Sequence, residues 1–463
     1  MFGINKNLKI HFVGIGGIGM SGIAHILLSL GYKVSGSDLT RGPNVDKLES
    51  LGAKIYIGHK KENMANAQIL VYSSAIDKTN PEVQMAIEHK IPIIKRAEML
   101  AELMRLKYGI AIAGSHGKTT TTSFVSTIFQ KLEQRPTCII GGIVKNLGSQ
   151  AVHGDSEFLI AEADESDGSF LFLNPILSVI TNIDNDHLDY YQNEENIKTA
   201  FAEFSNKVPF YGCVVINAND KNSVSMIENL RRPFFTYAVD TLDTFTDKVD
   251  YLARDIKFSE KGSVFRLEFQ NECQEVSINL TGNHNVQNAL GAIAISHKAG
   301  LSLEDICHAI SGFSGVGRRF ENIYDSKTMV VVDDYAHHPT ELKATIETAK
   351  SKYPNKSLKI IFEPHRFTRT KEFWNEFINC FENVDSLYLA PIYAASEKPI
   401  FNITSERLCQ EINKKFSNAS LFNNWNFLID IFNDNKERDV IILTLGAGSI
   451  SKKTREMMLE WKS

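Results

Sequence analysis

The chain has 463 residues, 43% of them hydrophobic and 23% charged, with a formal net charge of -5. At about 150 residues per domain it has room for about three soluble globular domains. The acidic balance offers no basic face to nucleic acid, and no run reaches the ~20 apolar residues of a membrane span. The charged opening residues lack the apolar core of a signal peptide, so a cytoplasmic protein is expected. Its six cysteines are scattered without a Cys-x-x-Cys pair, which signals neither a zinc site nor a disulfide framework.

The first hundred residues alternate short apolar runs with helical patterns. Residues 9–13, 33–36, 54–56, 68–72 and 91–94 read as strands. A helix over 18–30 puts Ile23, Ile26, Leu27 and Leu30 on one face, and another near 81–89 begins with Pro81. Such alternation predicts a parallel sheet flanked by helices. A helix over 96–106 leads into a second module, with strands at 108–113, 157–161, 176–181 and 213–216 and helices at 117–132, 285–298 and 303–311. Residues 247–280 alternate polar and apolar positions, as an antiparallel meander does. A third module follows Gly315, with strands at 328–332, 358–362, 386–389 and 440–443. The expected architecture is three α/β modules, 1–106, 107–315 and 316–463, the first and third Rossmann-like and the second a P-loop nucleotide-binding module.

Two phosphate-binding patterns stand at strand–helix junctions. Gly14-Ile15-Gly16-Gly17-Ile18-Gly19 is a Gly-x-Gly-x-x-Gly that permits a tight turn and sets a diphosphate on the positive end of a helix. Asp38, after the second strand, is placed to bond a ribose hydroxyl. Gly114-Ser115-His116-Gly117-Lys118-Thr119-Thr120 is a short P-loop. A standard one needs a glycine at 112, where this chain has Ile112. Its amides cradle phosphate, Lys118 neutralises it and the Thr119 hydroxyl can hold magnesium. A dehydrogenase does not need the second pattern, and an ordinary P-loop ATPase does not need the first. An enzyme that spends ATP on a nucleotide-linked substrate needs both.

Six further segments bear on chemistry. Glu162, Asp164, Glu165 and Asp167 crowd a strand end near the P-loop, which suits magnesium or is merely a solvated acidic loop. Asn182-Ile183-Asp184-Asn185-Asp186-His187-Leu188-Asp189 offers His187 as a metal ligand or acid–base group. Gly282-Asn283-His284-Asn285 runs on to Asn288, residues that either cap a helix or read an adenine edge. The third module offers Gly317-Arg318-Arg319-Phe320, then residues 333–341 around His337 and residues 363–369 with His365, Arg366 and Arg369; the last two segments each follow an apolar strand, at the ends where parallel sheets bind ligands. Two arginines three apart on a helix turn can face one carboxylate.

In this order the motifs resemble the Mur ligases over all three modules, and the text of residues 14–22 resembles their alanine-adding branch. Ser115 stands where threonine is common. The resemblance implies ATP- and magnesium-dependent joining of L-alanine to the lactyl carboxylate of UDP-N-acetylmuramate, through an acyl phosphate, in peptidoglycan precursor synthesis. It implies that Gly16, Gly17, Ile18, Gly19, Asp38, His59, Ser73 and Ser74 contact the UDP portion. Gly114, Ser115, His116, Gly117, Lys118, Thr119 and Thr120 would hold the ATP phosphates, and Thr119, Glu162 and His187 the metal. His284, Asn285 and Asn288 would flank adenine, and Arg319 and Asp334 would reach the nucleotide. Tyr335, His337, His365, Arg366 and Arg369 would line the amino-acid pocket, with Lys118, His187, His337 and His365 the catalytic candidates. A monomer or weak homodimer without nucleic-acid or membrane partners is expected. The rival readings are a ligase that recycles a tripeptide onto the same sugar nucleotide, a nicotinamide-dependent dehydrogenase, and a non-catalytic nucleotide sensor.

Overall fold

Local sequence places the helix starts. Asn80, Asn193, Asp220, Ser302 and Thr404 each accept a hydrogen bond from a backbone N–H two or three residues on, satisfying a donor that the first turn leaves open. Pro43, Pro81 and Pro339 stand at first helical positions, where a missing N–H costs nothing. The structure, a computed structural model, describes residues 7–73, 76–144, 149–240 and 248–462.

Three sheets organise these residues. The first has five parallel strands, ordered Lys54–Ile57, Lys33–Asp38, Lys9–Val13, Ile69–Tyr72, Ile93–Lys95. Its second strand runs two residues past the expected end at 36. Ser37 and Asp38 pair in register with Tyr56 and Ile57, so small polar residues that read as loop are strand.

The second sheet has ten strands among the described residues, with Tyr108–Ala113 between Phe158–Glu162 and Leu177–Ile180. At one edge lies an antiparallel pair, Thr137–Val144 with Ser149–Val152, absent from the expected set. At the other, Tyr251–Ser259, Gly262–Phe269 and Glu272–Ile278 follow one another through turns at 260–261 and 270–271. Turns that short join antiparallel strands, and the meander expected over 247–280 occupies these three strands. Phe234–Val239, unexpected from sequence, joins them to the parallel part.

The third sheet is ordered Glu321–Asp325, Met329–Asp334, Val440–Leu445, Ser357–Phe362, Ser386–Leu389, Ala419–Leu421. Its first pair is antiparallel and the rest are parallel. Val440–Leu445 inserts between two strands that precede it by about eighty residues or more, so the loops after residues 334, 362 and 445 gather at one end.

By its contacts the chain groups into two compact units, the first two sheets sharing one. Within it, a Cβ on Gly22 of the helix Ile18–Ser29 would lie 3.2 Å from the Ala151 methyl on the edge hairpin. A residue larger than glycine there would force apart the helix and the second sheet. Buried aromatic and aliphatic groups fill this unit, including Phe12, Ile23, Phe124, Phe170, Phe201 and Phe313. Each contributes about 1.5–3 kcal/mol by leaving water, and the Phe124 and Phe313 rings sit 4.4 Å apart. The second unit comprises residues 257–263, 280–284 and 315–463. Two short segments before residue 315 therefore belong with the third sheet, and the expected cut at 315 is not a single one.

Candidate functional site

Gly114 follows the strand Tyr108–Ala113, and the helix Lys118–Lys131 begins four residues later. Gly114 has φ +135° and Gly117 φ +82°, conformations that glycine alone takes without strain. A Cβ on Gly114 would collide with the Thr181 hydroxyl, and one on Gly117 with the Asn288 carboxamide. The segment after Leu177–Ile180 grips this loop. Ser115 N–H donates to Asn182 O at 3.0 Å, His116 N–H to Asn182 Oδ1 at 2.8 Å, and Thr181 Oγ1 to His116 O at 2.6 Å. His116 Nε2 lies 3.0 Å from Asp184 Oδ2.

Lys118 Nζ turns into this loop. It donates to Gly114 O at 2.5 Å and to Glu165 Oε1 and Oε2 at 2.8 and 2.7 Å. Burial opposes the charge on Lys118, but the carboxylates of Glu165, Asp164 and Glu162 outweigh it and hold the ammonium above its usual range. Burial pushes Glu165 up to about 7 despite the bond to Lys118. Glu165 thus occupies the lysine that a phosphate would claim, a partner the sequence did not single out within its acidic run.

Thr119 Oγ1 donates to Glu162 Oε2 at 3.2 Å, and Glu162 Oε1 accepts from Gly141 N–H at 2.6 Å. A hydroxyl and a carboxylate side by side are hard oxygen donors of the kind magnesium takes. His187 has φ +60°, unusual for a residue with a side chain, and its Nε2 stands 3.9 Å from Glu165 Oε1 and 3.5 Å from Asp186 Oδ2. Thr120 is buried in the helix. Asn285 and Asn288 are buried too, and Asn288 Oδ1 accepts from Thr121 Oγ1 at 3.3 Å. Asn288 thereby braces the helix and glycine of the P-loop itself.

In the first sheet, the glycine-loop amides are mostly spent inside the protein. Gly14 and Ile15 N–H donate to Ser37 O, Gly17 N–H to Gly14 O, and Gly16 N–H to Asp38 Oδ2 at 2.8 Å. Asp38 is therefore tied to the loop through one oxygen. The donors without an intrahelical acceptor are those of the next turn, Ile18, Gly19 and Met20, since the first helical bond is Ser21 N–H to Gly17 O. Arg96 packs against Gly19 and pairs with Asp164 at 3.3 Å. Ser73 ends the strand Ile69–Tyr72 beside Gly14, and Ser74 lies outside the described residues. His59 follows Lys54–Ile57 and bonds Ser37 Oγ at 2.9 Å.

In the second unit, Asp334 takes Phe320 N–H on Oδ2 at 2.6 Å and Ala336 N–H on Oδ1 at 2.8 Å. It thereby holds the Gly317-Arg318-Arg319-Phe320 turn, in which Arg318 and Phe320 have φ +60° and +44°. Burial pushes the Asp334 carboxyl up to about 6 in spite of Arg319 nearby. The Arg318 and Arg319 guanidiniums lie 4.7 and 5.2 Å from the Tyr335 ring centre. Burial, with the Arg319 charge, lowers His284 to about 4.

The remaining candidates form one cluster. His337 Nδ1 is 3.1 Å from Glu341 Oε2, and the His337 and His365 rings are 5.8 Å apart. His365 stacks on Tyr393 at 5.4 Å, a neighbour the sequence reading missed because it lies on the next loop. Burial first, then His337, Arg369 and Arg366, lowers His365 to about 3, and its buried Nδ1 has no hydrogen-bond partner among the described residues. Arg366 is held by Glu397 at 3.9 Å, and Arg369 is buried.

Family comparisons fit this layout. The Mur ligase catalytic-domain family matches residues 9–108, the Mur ligase middle domain 112–296 and the Mur ligase glutamate ligase domain 318–448. The chain belongs to the Mur ligase family. A UDP-N-acetylmuramate–L-alanine ligase from Geobacter sp. (strain M21) is 45% identical to this Mur ligase over 460 residues, covering 98% of both chains. One of the same name from Solidesulfovibrio magneticus is 51% identical over 88% of each. The crystal structure of a UDP-N-acetylmuramate–alanine ligase from Thermotoga maritima superposes with a TM-score of 0.82 at 27% identity, covering 98% of this chain and 99% of that one. A murein peptide ligase from Psychrobacter arcticus shares the fold, with a TM-score of 0.71 at 23% identity over 98% and 99% of the two chains. None of these comparisons supports the dehydrogenase reading. No described helix of this Mur ligase is long and apolar enough to cross a membrane.

Gly117→Ala tests the P-loop packing. The new methyl meets Asn288 at a positive φ, at a cost of about 1–3 kcal/mol of local strain. ATP-dependent phosphate release should fall by about 10²-fold, since a displacement of 1 Å in a positioned site costs that much. An unchanged rate would show that the loop tolerates the displacement.

Proposed function

We propose that this Mur ligase joins L-alanine to the lactyl carboxylate of UDP-N-acetylmuramate at the expense of ATP, in the cytoplasm, as a step of peptidoglycan precursor synthesis. What carries the reading is the full-length identity with ligases of that name, in a chain that has a phosphate-type helix start in its first sheet and a P-loop in its second. A carboxylate is a poor acyl donor because oxide is a poor leaving group. Phosphorylation by ATP converts it to an acyl phosphate, and attack by the alanine amine then forms the amide and releases phosphate.

The protein's share is positioning and charge. The P-loop amides and Lys118 hold the ATP phosphates, Lys118 leaving Glu165 to do so. Thr119 and Glu162 would hold magnesium, with His187 contributing from the adjoining loop; the metal, when bound, neutralises phosphate oxygens. Ile18 and Gly19 N–H groups meet the diphosphate of the sugar nucleotide. His284, Asn285 and Arg319 serve the adenosine side. Arg366 and Arg369 take the alanine carboxylate, and Tyr335 walls the small side chain. His365, uncharged at neutral pH, accepts a hydrogen bond from the incoming ammonium beside His337.

The test is phosphate release with UDP-N-acetylmuramate, ATP and magnesium, adding L-alanine or the L-Ala-γ-D-Glu-diaminopimelate tripeptide in parallel. Release that requires L-alanine, with a product heavier by one alanine residue, supports the proposal. Release only with the tripeptide moves the acceptor to the recycling reaction, and release with neither sinks both.

A further inference from the structure

Beneath the first sheet's binding edge lies a buried polar network that no motif announces. Glu82 stands in the first turn of the helix Pro81–Glu88 and is 0% exposed. Its Oε1 accepts from Asn63 Nδ2 at 2.5 Å and from Lys60 N–H at 3.2 Å. Its Oε2 accepts from the Ser37 hydroxyl at 2.5 Å. That hydroxyl also lies 2.9 Å from His59 Nδ1. Ser37 and His11 are fully buried, whereas the His59 side chain is 12% exposed and is the network's opening to solvent.

Proton counting orients these groups. A serine hydroxyl has one hydrogen. Facing a carboxylate oxygen at 2.5 Å, that hydrogen is committed to Glu82. Against burial, His11 first and then the hydrogen bonds from Ser37 and Asn63 hold the Glu82 carboxyl below its usual range, so it carries no proton of its own to offer. The contact between Ser37 and His59 must then be donated by His59 Nδ1–H. In the neutral ring this leaves Nε2 as a bare acceptor.

We infer that Glu82, acting through Ser37, is a positioning residue that fixes His59 in the Nδ1–H tautomer. His59 Nε2 then accepts from an N–H or O–H of the sugar nucleotide, its imide or a hydroxyl, and does not serve as a phosphate contact. This rests on the proposal that the first sheet holds the nucleotide. It gives a role to a glutamate that otherwise reads only as a helix-start acid. It also explains why a strand carries Ser37 and Asp38 at its end: the two side chains set up neighbouring groups on one edge, Ser37 the imidazole and Asp38 the glycine loop.

Glu82→Gln should reverse the chain. The new amide donates to Ser37 Oγ, Ser37 donates to His59 Nδ1, and His59 switches to the Nε2–H form. Ring 15N–1H correlation spectra of the full chain read the tautomer directly. The expected result is Nδ1–H in the parent and Nε2–H in Glu82→Gln, with KM for UDP-N-acetylmuramate raised about tenfold, the worth of one good hydrogen bond, and kcat little changed. Ser37→Ala, which cuts the chain while leaving the Glu82 carboxylate in place on Asn63 and Lys60 N–H, should raise KM similarly if the glutamine variant does not fold. A parent in the Nε2–H form overturns the inference, and so does a KM that is unmoved by either variant. Ile18→Glu places a carboxylate on an exposed helix start, where it repels the diphosphate and raises KM. If Ile18→Glu has no effect on KM, the nucleotide lies elsewhere and the underlying reading falls. If Ile18→Glu acts while Glu82→Gln and Ser37→Ala are silent, the relay alone is wrong.

Discussion

Lys118→Ala should reduce alanine-dependent phosphate release by at least about 10³-fold, because it removes the one cation of the P-loop aimed at the transferring phosphoryl group. The folded chain should survive the change. Breaking a buried ion pair usually costs about 3–5 kcal/mol, since the remaining charge is stranded. Glu165 escapes that penalty: burial has already pushed it up to about 7, so it takes up a proton when Lys118 leaves. The melting temperature should therefore fall only modestly, and the fall should be smaller at pH 6 than at pH 8. Binding of UDP-N-acetylmuramate, measured by calorimetry without ATP, should be unchanged, because Ile18, Gly19 and His59 belong to the other sheet of the unit. A variant that released phosphate at the parent rate would show that Lys118 does not hold ATP.

The same position shows what a sequence reveals and what it hides. Gly114 and Gly117 were legible because glycine at a strand–helix junction has few bland explanations, and both have positive φ. The three α/β sheets were legible from alternating strand and helix periods. Which carboxylate faces Lys118 was not: Glu162, Asp164, Glu165 and Asp167 are equivalent in composition. Only the geometry at the strand end turns Glu165 to the lysine and Glu162 to Thr119. The edge pair Thr137–Val144 and Ser149–Val152 escaped for a similar reason, since its glycines blur the strand period. Partners far apart in the chain were invisible. Asp38 on Gly16, Asn288 on Gly117, Tyr393 on His365 and Ser37 on Glu82 join separate elements, and no periodicity encodes such a meeting.

Asp334 carries a large pH effect in the second unit. Both its oxygens accept backbone N–H groups, from Phe320 and Ala336, while burial pushes its carboxyl from 3.8 up to about 6. The folded chain therefore binds this proton more tightly than the unfolded chain does. Its contribution to stability is whole below pH 3.8 and is lost as pH rises through about 6. At about 1.4 kcal/mol for each pKa unit, the loss across that window is about 3 kcal/mol. Asp334→Asn removes the titration and sets an amide NH2 against one of the two N–H donors, which costs about 1–3 kcal/mol for the donor left unpaired. The stability advantage of the parent over the variant should thus be greatest near pH 4 and shrink by pH 7. Denaturant titrations at those two pH values measure it. A gap that widened with pH would mean that the carboxylate, and not the acid, is the form the fold prefers, with the two N–H groups outweighing burial. Because the turn it holds carries Arg318 and Arg319 against Tyr335, the same variant should raise KM for ATP and alanine more than for UDP-N-acetylmuramate, whose contacts lie on the first sheet.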